Sequence, residues 1–197
     1  MNALQDTVST ATAGDETRRG SLHLREANTE FTGTIRYATG ASTLGKILVA
    51  SSDLGVCAVL LGDDERSLET ELSRAHPKAR LDARPAALKE LLAHVTALVE
   101  TPVRGFDQVL DVAGTRFQQS VWLALRTIPA GSTASYADIA ARIGRPDAVR
   151  AVGSACAANV LAIAIPCHRV IKSDRTLSGY RWGTERKRAL LQRERRA

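Results

Sequence analysis

Aromatic residues are scarce in this 197-residue chain: Phe, Trp and Tyr together make up 4% of it. A sheet that stacks nucleobases on exposed rings is therefore not expected. Long apolar runs are missing too. None approaches the ~18 residues that a membrane-spanning helix needs, and the first thirty residues hold no apolar leader. Cysteine is limited to Cys57, Cys156 and Cys167. So sparse and odd a set argues for free thiols in a reducing compartment, with the cytoplasm as the expected location, and it cannot furnish a four-cysteine zinc site. No glycine-rich phosphate loop and no paired-histidine metal motif occurs.

What is present fits a folded chain. Apolar residues make up 44% and charged residues 24%, ordinary globular usage and enough for one large domain or two small ones. The net charge of +6 is unevenly spread. Residues 1–114 hold 12 Lys and Arg against 16 Asp and Glu, a balance of −4, whereas residues 115–197 hold 15 against 5, a balance of +10. A basic half of that size favours a polyanionic partner, nucleic acid first.

Residues 1–30 are polar without an apolar period and read as a mobile tail. Short apolar runs at 35–38, 44–50 and 55–61, separated by turn residues, predict a small antiparallel sheet. A 3.6-residue period over 65–75 and 86–100 predicts two helices packed on it. These elements form an N-terminal subdomain over 31–107, with a linker at 105–108 and a strand at 109–112. A second unit, 108–197, is helical. Phe117, Val121, Leu125 and Ile128 mark its first helix, with Trp122 read as core, and Pro129 and Gly131 close it. Ser135 and Asp138 form a capping box for the next. Arg145-Pro146-Asp147 is expected to start a third, with Pro in the first position. The pair reads as helix-turn-helix. The third helix has Val149, Val152 and Cys156 as its apolar stripe, and small residues nearly everywhere else. Arg150 and Ser154 lie away from the stripe. So thin a helix suits either close approach to a groove or tight packing inside the protein.

Chemistry concentrates in Ala162-Ile163-Ala164-Ile165-Pro166-Cys167-His168-Arg169-Val170-Ile171. An apolar run delivers a thiol beside a base and a cation, and nearby positive charge favours the reactive thiolate. On an extended strand Cys167 and His168 would point to opposite faces, so a water or a local turn must connect them. Glu194 falls on the side of the last helix that carries Leu190 and Leu191, making it a candidate to orient the histidine. Taken alone, a cysteine in an apolar run is more often an inert core thiol. Cys57 and Cys156 receive that reading, and His23, His76 and His94 read as ordinary surface or loop residues.

Pro166-Cys167-His168-Arg169-Val170 resembles the signature of the O6-alkylguanine-DNA alkyltransferases. Phe117-Gln118-Gln119-Ser120-Val121-Trp122, Ser135-Tyr136, Arg150-Ala151-Val152-Gly153, Ala157-Ala158-Asn159 and Leu177-Ser178-Gly179-Tyr180-Arg181-Trp182-Gly183 follow the family's order and spacing over residues 34–196. The last of these, with Leu60-Leu61-Gly62-Asp63-Asp64, is most similar to the C-terminal half of bacterial Ada-type members.

The resemblance implies an α/β (α+β) fold. A ribonuclease H-like N-terminal sheet with helices would precede a winged-helix or helix-turn-helix catalytic domain. It implies single-turnover transfer of an alkyl group from O6-methylguanine, and from O4-methylthymine, to Cys167, by a monomer on double-stranded DNA at the minor groove, with no cofactor, no metal and no membrane. His168 would act as base through a water, Glu194 would orient it, Asn159 would support the turn and Tyr136 would assist departure of guanine. Arg150 would fill the stack, with Ser135, Ala151 and Ser154 also on the DNA. Val170, Tyr180 and the Arg181 backbone would line the base pocket. Residues 1–30 carry no cysteine, so the zinc–cysteine sensor of tandem Ada proteins, and a part in transcription, are not expected. A helix-turn-helix regulator with a structural cysteine is the competing reading, and a Cys–His hydrolase ranks behind it. The regulator reading is weakened by Arg150 being nearly the only base-reaching side chain on its helix.

If the basic half docks on phosphates, log affinity for duplex DNA falls steeply and linearly with log salt. A flat plot from a salt titration would remove that half as the docking surface.

Overall fold

Two apolar runs, residues 47–50 and 56–61, are buried along their whole length and fix the centre of the fold. The computed structural model describes residues 20–27, 31–102 and 105–196. Its elements are β1 (Leu22–Glu26), β2 (Thr34–Ser42), β3 (Gly45–Ser52), β4 (Gly55–Gly62), α1 (Glu65–Ala75), β5 (Arg80–Ala83), α2 (Lys89–Glu100) and β6 (Leu110–Gly114). There follow α3 (Arg116–Arg126), β7 (Ala134–Ser135), α4 (Tyr136–Arg142), α5 (Val149–Ala158), a 3₁₀ turn (Cys167–Arg169), β8 (Val170–Ile171) and α6 (Thr184–Arg196).

Six strands form one sheet in the order β1-β6-β4-β3-β2-β5. The β2–β3 and β3–β4 pairs are antiparallel, as the sequence predicts, but β1–β6, β4–β6 and β2–β5 are parallel. The sheet is therefore mixed, because the two helices carry the chain back over β2–β4 instead of turning it in a hairpin. Gly55 makes the β3–β4 turn at φ +143°, where a Cβ would lie 2.6 Å from the Val109 carbonyl oxygen, so only glycine fits. Helix α1 packs on β3 and β4, and α2 on β2 and β3.

β6 meets β4 only at Val56–Leu110. Further along, the edge of β4 is taken by the segment after α5. The Val59 N–H donates to the Val160 carbonyl at 2.9 Å, and the Ala162 N–H donates to the Val59 carbonyl at 2.8 Å. The stretch leading to Cys167 is thereby tied to the central sheet.

Helices α3, α4 and α5 pack together. The buried Trp122 indole donates to the Ala155 carbonyl at 2.9 Å, which makes it core as expected. Capping boxes start α3 at Thr115–Gln118 and α4 at Ser135–Asp138. β7 and β8 pair in parallel, Ala134 with Val170 and Ser135 with Ile171, which sets the start of α4 beside the cysteine turn.

Three expectations need correction. Residues 22–26 belong to the sheet and not to a mobile tail; residues 1–19 and 28–30 lie outside the described residues. The anchor of β1 is distant in sequence: Arg25 Nε and Nη2 donate to the two Asp111 carboxylate oxygens at 2.5 and 3.1 Å, and Ser52 Oγ donates to Oδ2 at 2.6 Å. Helix α5 begins at Val149, because the Ala148 N–H closes a turn on the Arg145 carbonyl at 2.9 Å and Pro146 is spent inside that turn. Val149 is 37% exposed, so the buried stripe is Val152, Ala155 and Cys156.

Replacing Asp111 by Ala removes the buried carboxylate that accepts from both Arg25 and Ser52. Urea unfolding should show a loss of about 3–5 kcal/mol, against less than ~0.5 kcal/mol for Leu24→Ala at an exposed site on the same strand.

Candidate functional site

Asn159 caps the C-terminus of α5 and is buried. Its Oδ1 accepts from the Leu161 N–H at 2.9 Å. Its Nδ2 donates to the Ile165 carbonyl at 2.9 Å and to Cys167 Sγ at 3.2 Å. One side chain thus folds 159–167 into a loop and contacts the sulfur. The loop is strained: Ile163 sits at φ +68°, which costs a β-branched residue roughly 1–3 kcal/mol. Asn159 and the bridge to β4 hold it there.

The 3₁₀ turn places Cys167, His168 and Arg169 inside the protein. Cys167 is 4% exposed. Burial pushes its thiol up, opposed by the Asn159 hydrogen bond and by the charges of Lys187 and Arg181. The resting sulfur therefore carries its proton and needs a base. His168 is fully buried, and its burial holds the imidazole below 6.5, although Glu194 pulls the other way. Nε2 lies 2.8 Å from Glu194 Oε1, and Nδ1 has no hydrogen-bond partner among the described residues.

Glu194 is the hub. Arg169 Nε donates to Oε1 at 3.0 Å and to Oε2 at 3.2 Å, and the Gly131 N–H donates to Oε2 at 3.1 Å. Gly131, at φ +77°, can make this approach because a Cβ there would press within 3.3 Å of the Glu194 backbone oxygen. Arg169 Nη1 in turn donates to the Ile128 carbonyl at 2.7 Å. Burial alone would raise the Glu194 carboxyl. The hydrogen bonds and charges of His168 and Arg169 outweigh it and hold the group below 4.5.

Tyr136 opens α4 half-buried, with its hydroxyl 2.7 Å from Ser178 Oγ. Tyr180 lies edge-on to His168 at 6.5 Å and to Trp182 at 5.2 Å. Val170 is buried beside the turn. Arg181 turns its side chain away from the sulfur, Nε donating to Glu71 at 2.6 Å and Nη1 to the Ala157 carbonyl at 2.8 Å. Arg150, Ala151 and Ser154 are exposed on α5, and half-buried Ser135 serves as the α4 cap. The structure thus gathers Cys167, His168, Glu194, Asn159, Tyr136, Val170 and Tyr180. It sets Arg150, Ala151 and Ser154 on the outer face of α5.

Sequence reasoning read Arg169 as the cation beside the thiol, whereas the structure has it share Glu194 with the histidine; it gave no role to Ser178 and Lys187, which stand behind Tyr136. Lys187 was within reach, since it falls at the same helical spacing as Leu190 and Glu194. Ser178 and Arg169 offer no periodicity to read. Cys57 and Cys156 are buried, with thiols pushed up to about 12, as inert thiols should be. His76 lies in the bend after α1, half-buried, with an Nε2 that has no partner among the described residues.

A family model described as the 6-O-methylguanine DNA methyltransferase DNA-binding domain matches residues 116–196. The chain is 53% identical over 162 residues to the bifunctional transcriptional activator/DNA repair enzyme Ada of Escherichia coli, covering 81% of this chain and 45% of that protein. It therefore spans about half the length of that relative. It is 42% identical over 160 residues to the methylated-DNA–protein-cysteine methyltransferase of Mycobacterium tuberculosis, covering 92% of that protein and 81% of this one. The crystal structure of Mycobacterium tuberculosis OGT in complex with DNA superposes with a TM-score of 0.65 at 38% identity, covering 82% of this chain and 93% of the other.

Both His168 and Glu194 titrate lower in the fold than outside it. A lowered group stabilises fully above its ordinary value and loses that contribution as pH falls through the folded one. Resistance to thermal unfolding should therefore weaken below pH 6.5, and more steeply below 4.5. Glu194→Gln should flatten the lower limb of a pH series of melting curves.

Proposed function

The chain belongs to the methylated-DNA–protein-cysteine methyltransferase family, and on that premise we propose that it moves the alkyl group of O6-alkylguanine in double-stranded DNA onto its own Cys167. The observation that carries this reading is the buried line from Cys167 through its turn to His168 and Glu194. His168 Nδ1, which has no partner among the described residues, takes the thiol proton through a water, and Glu194 stabilises the imidazolium. The sulfur anion attacks the alkyl carbon. An S–C bond forms, the C–O6 bond breaks, and guanine leaves with the electron pair while Tyr136 supplies a proton. The product is a thioether, a poor leaving group, so each chain acts once. O4-methylthymine offers the same alkyl–oxygen bond and is a second candidate substrate.

Cys167 Sγ is nearly enclosed. A purine reaches it only outside the stack, at a cost of a few kcal/mol, and once the half-buried Tyr136 and Tyr180 and the exposed turn at 172–176 yield. Val170, Tyr180 and the Arg181 backbone form the pocket walls in this reading. The exposed face of α5 is small enough to enter the minor groove, where Arg150 takes the vacated place. Arg150 makes no ion pair among the described residues and is free to do so. Asn159 keeps the reactive turn in shape. Ser135, Ala151 and Ser154 add contacts to the backbone of the DNA.

We assign the division of labour to two units, 31–107 with a ribonuclease H-like sheet and 108–197 with a helix-turn-helix of winged type, acting as a monomer. No described helix is long and apolar enough to cross a membrane, and a DNA substrate fits a cytoplasmic site of action. A sequence-reading regulator would leave the buried acid–base line idle, so that reading is not favoured.

Incubation with a duplex bearing O6-methylguanine should add one methyl mass per chain, on the peptide that holds Cys167. Cys167→Ala should bind the duplex and gain nothing. Intact DNA binding by the unmodified protein with no mass gain would overturn the reading.

A further inference from the structure

Glu194 holds its position from the last turn of α6. A helix end is the part that frays most readily, since its closing carbonyls lack partners within the helix. A contact of 2.8 Å to His168 Nε2 needs that turn held still. The residue before Glu194, Arg193, takes no part in the acid–base line and has partners of its own.

Arg193 reaches into the first half of the chain. Its Nη1 donates to the Val99 carbonyl at 2.6 Å, and its Nη2 donates to Thr43 Oγ1 at 2.6 Å. Nη1 also lies 3.4 Å from Glu100 Oε2. The Val99 carbonyl is among the closing four of α2, beyond the reach of any N–H of that helix. Thr43 sits in the turn between β2 and β3. A carboxylate only accepts, so the Thr43 hydroxyl donates to Glu100 Oε1 at 2.7 Å, and the Thr43 N–H donates to the same oxygen at 3.2 Å. The threonine oxygen is left to accept from Arg193. Arginine, threonine and glutamate thus close a ring across α6, the β2–β3 turn and α2, which suits the rigid fork of a guanidinium.

Two turns earlier on the same face, Arg186 makes a matching contact: Nε donates to the Leu44 carbonyl at 2.7 Å and Nη2 to Asp63. The neighbouring face carries Lys187, Leu190, Leu191 and Glu194, all buried, and packs on the cysteine turn. We propose that Arg193 is a positioning residue for the reaction: its grip on Thr43 and Val99 fixes the last turn of α6, and with it the Glu194 carboxylate against His168. The catalytic consequence rests on the alkyl-transfer reading; the placement of Glu194 does not.

Loss of the contact has a definite sign. The groups facing His168 are Glu194 and Lys187 on α6, Arg169 and Cys167 in its own turn, and Tyr180. Glu194 raises the imidazole, against burial and the two cations. A loosened Glu194 leaves His168 a weaker base. A step that needs neutral imidazole speeds up as pH rises through the midpoint of that group. The midpoint therefore moves down, and the plateau falls because the imidazolium loses its counter-charge.

The test follows first-order methyl transfer at saturating O6-methylguanine duplex, by rapid quench, across pH. Arg193→Ala should lower the plateau roughly 10-fold and move the acid limb to lower pH. Thr43→Val, a change of similar shape at the other end of the contact, should do the same to a smaller degree and add little to Arg193→Ala. Arg193→Lys, which keeps a cation for the same acceptors, should recover part of the rate. Fewer chains methylated at an unchanged rate and midpoint, as a merely stabilising contact would give, or full activity in both Arg193→Ala and Thr43→Val, overturns the assignment. An NMR titration of the His168 ring reads the same contact without DNA: its midpoint should drop in Arg193→Ala, and an unmoved or raised midpoint overturns the assignment as well. If the unmodified protein takes no methyl from the duplex, the alkyl-transfer reading falls, and that titration still decides whether Arg193 places Glu194.

Discussion

One buried carboxylate organises the second half of this protein. Glu194 receives a histidine and an arginine from one turn and a backbone N–H from Gly131, on a separate stretch of chain. A charge taken out of water at that depth is tolerated only with such a set of donors, and supplying them dictates much else. Helix α6 must lie against the cysteine turn, Arg169 must turn inward to reach both Glu194 and Ile128, and the chain at Gly131 must adopt a backbone that no other residue accepts easily. The imidazole orientation is the chemical yield of that arrangement.

The opposite side of the turn is held by neutral groups. Asn159 satisfies backbone atoms at Leu161 and Ile165 and places its amide against the sulfur. The paired short strands β7 and β8 bring Tyr136 within the same small space. The thiol is thus caught between a neutral hydrogen-bond donor and a charged acid–base pair. Its burial opposes ionisation, and in the proposed reaction this is what gives His168 its task.

Local chemistry explains which parts could be foreseen. The α4 cap was legible because Ser135 and Asp138 satisfy each other within one turn. Glu194 was legible because helical spacing places it with Leu190 and Leu191, and the cysteine segment because its residue types are rarely adjacent. The family motifs supplied roles for Asn159 and Tyr136 that their positions alone would not. What escaped depends on partners far along the chain. Strand β1 is five residues of weak alternation, held by Asp111 eighty-six positions away. The parallel pairing of β5 with β2, and of β6 with β1 and β4, follows from helix crossovers that no strand encodes. The start of α5 was misjudged because proline suits both the first turn of a helix and the second position of a tight turn, and here the turn won. Ser178 gains its place only when α6 brings Lys187 beside it.

The two hydrogen bonds between Val59 and the 160–162 backbone have a mechanical corollary. They splice the reactive stretch into the innermost strand, so amide exchange there should await opening of the sheet itself, not the breathing of a surface loop. A catalyst that turns over must loosen its grip to discharge what it has made. Under the proposed transfer the chain keeps the group and has no discharge step, which suits a nucleophile mounted on the central sheet.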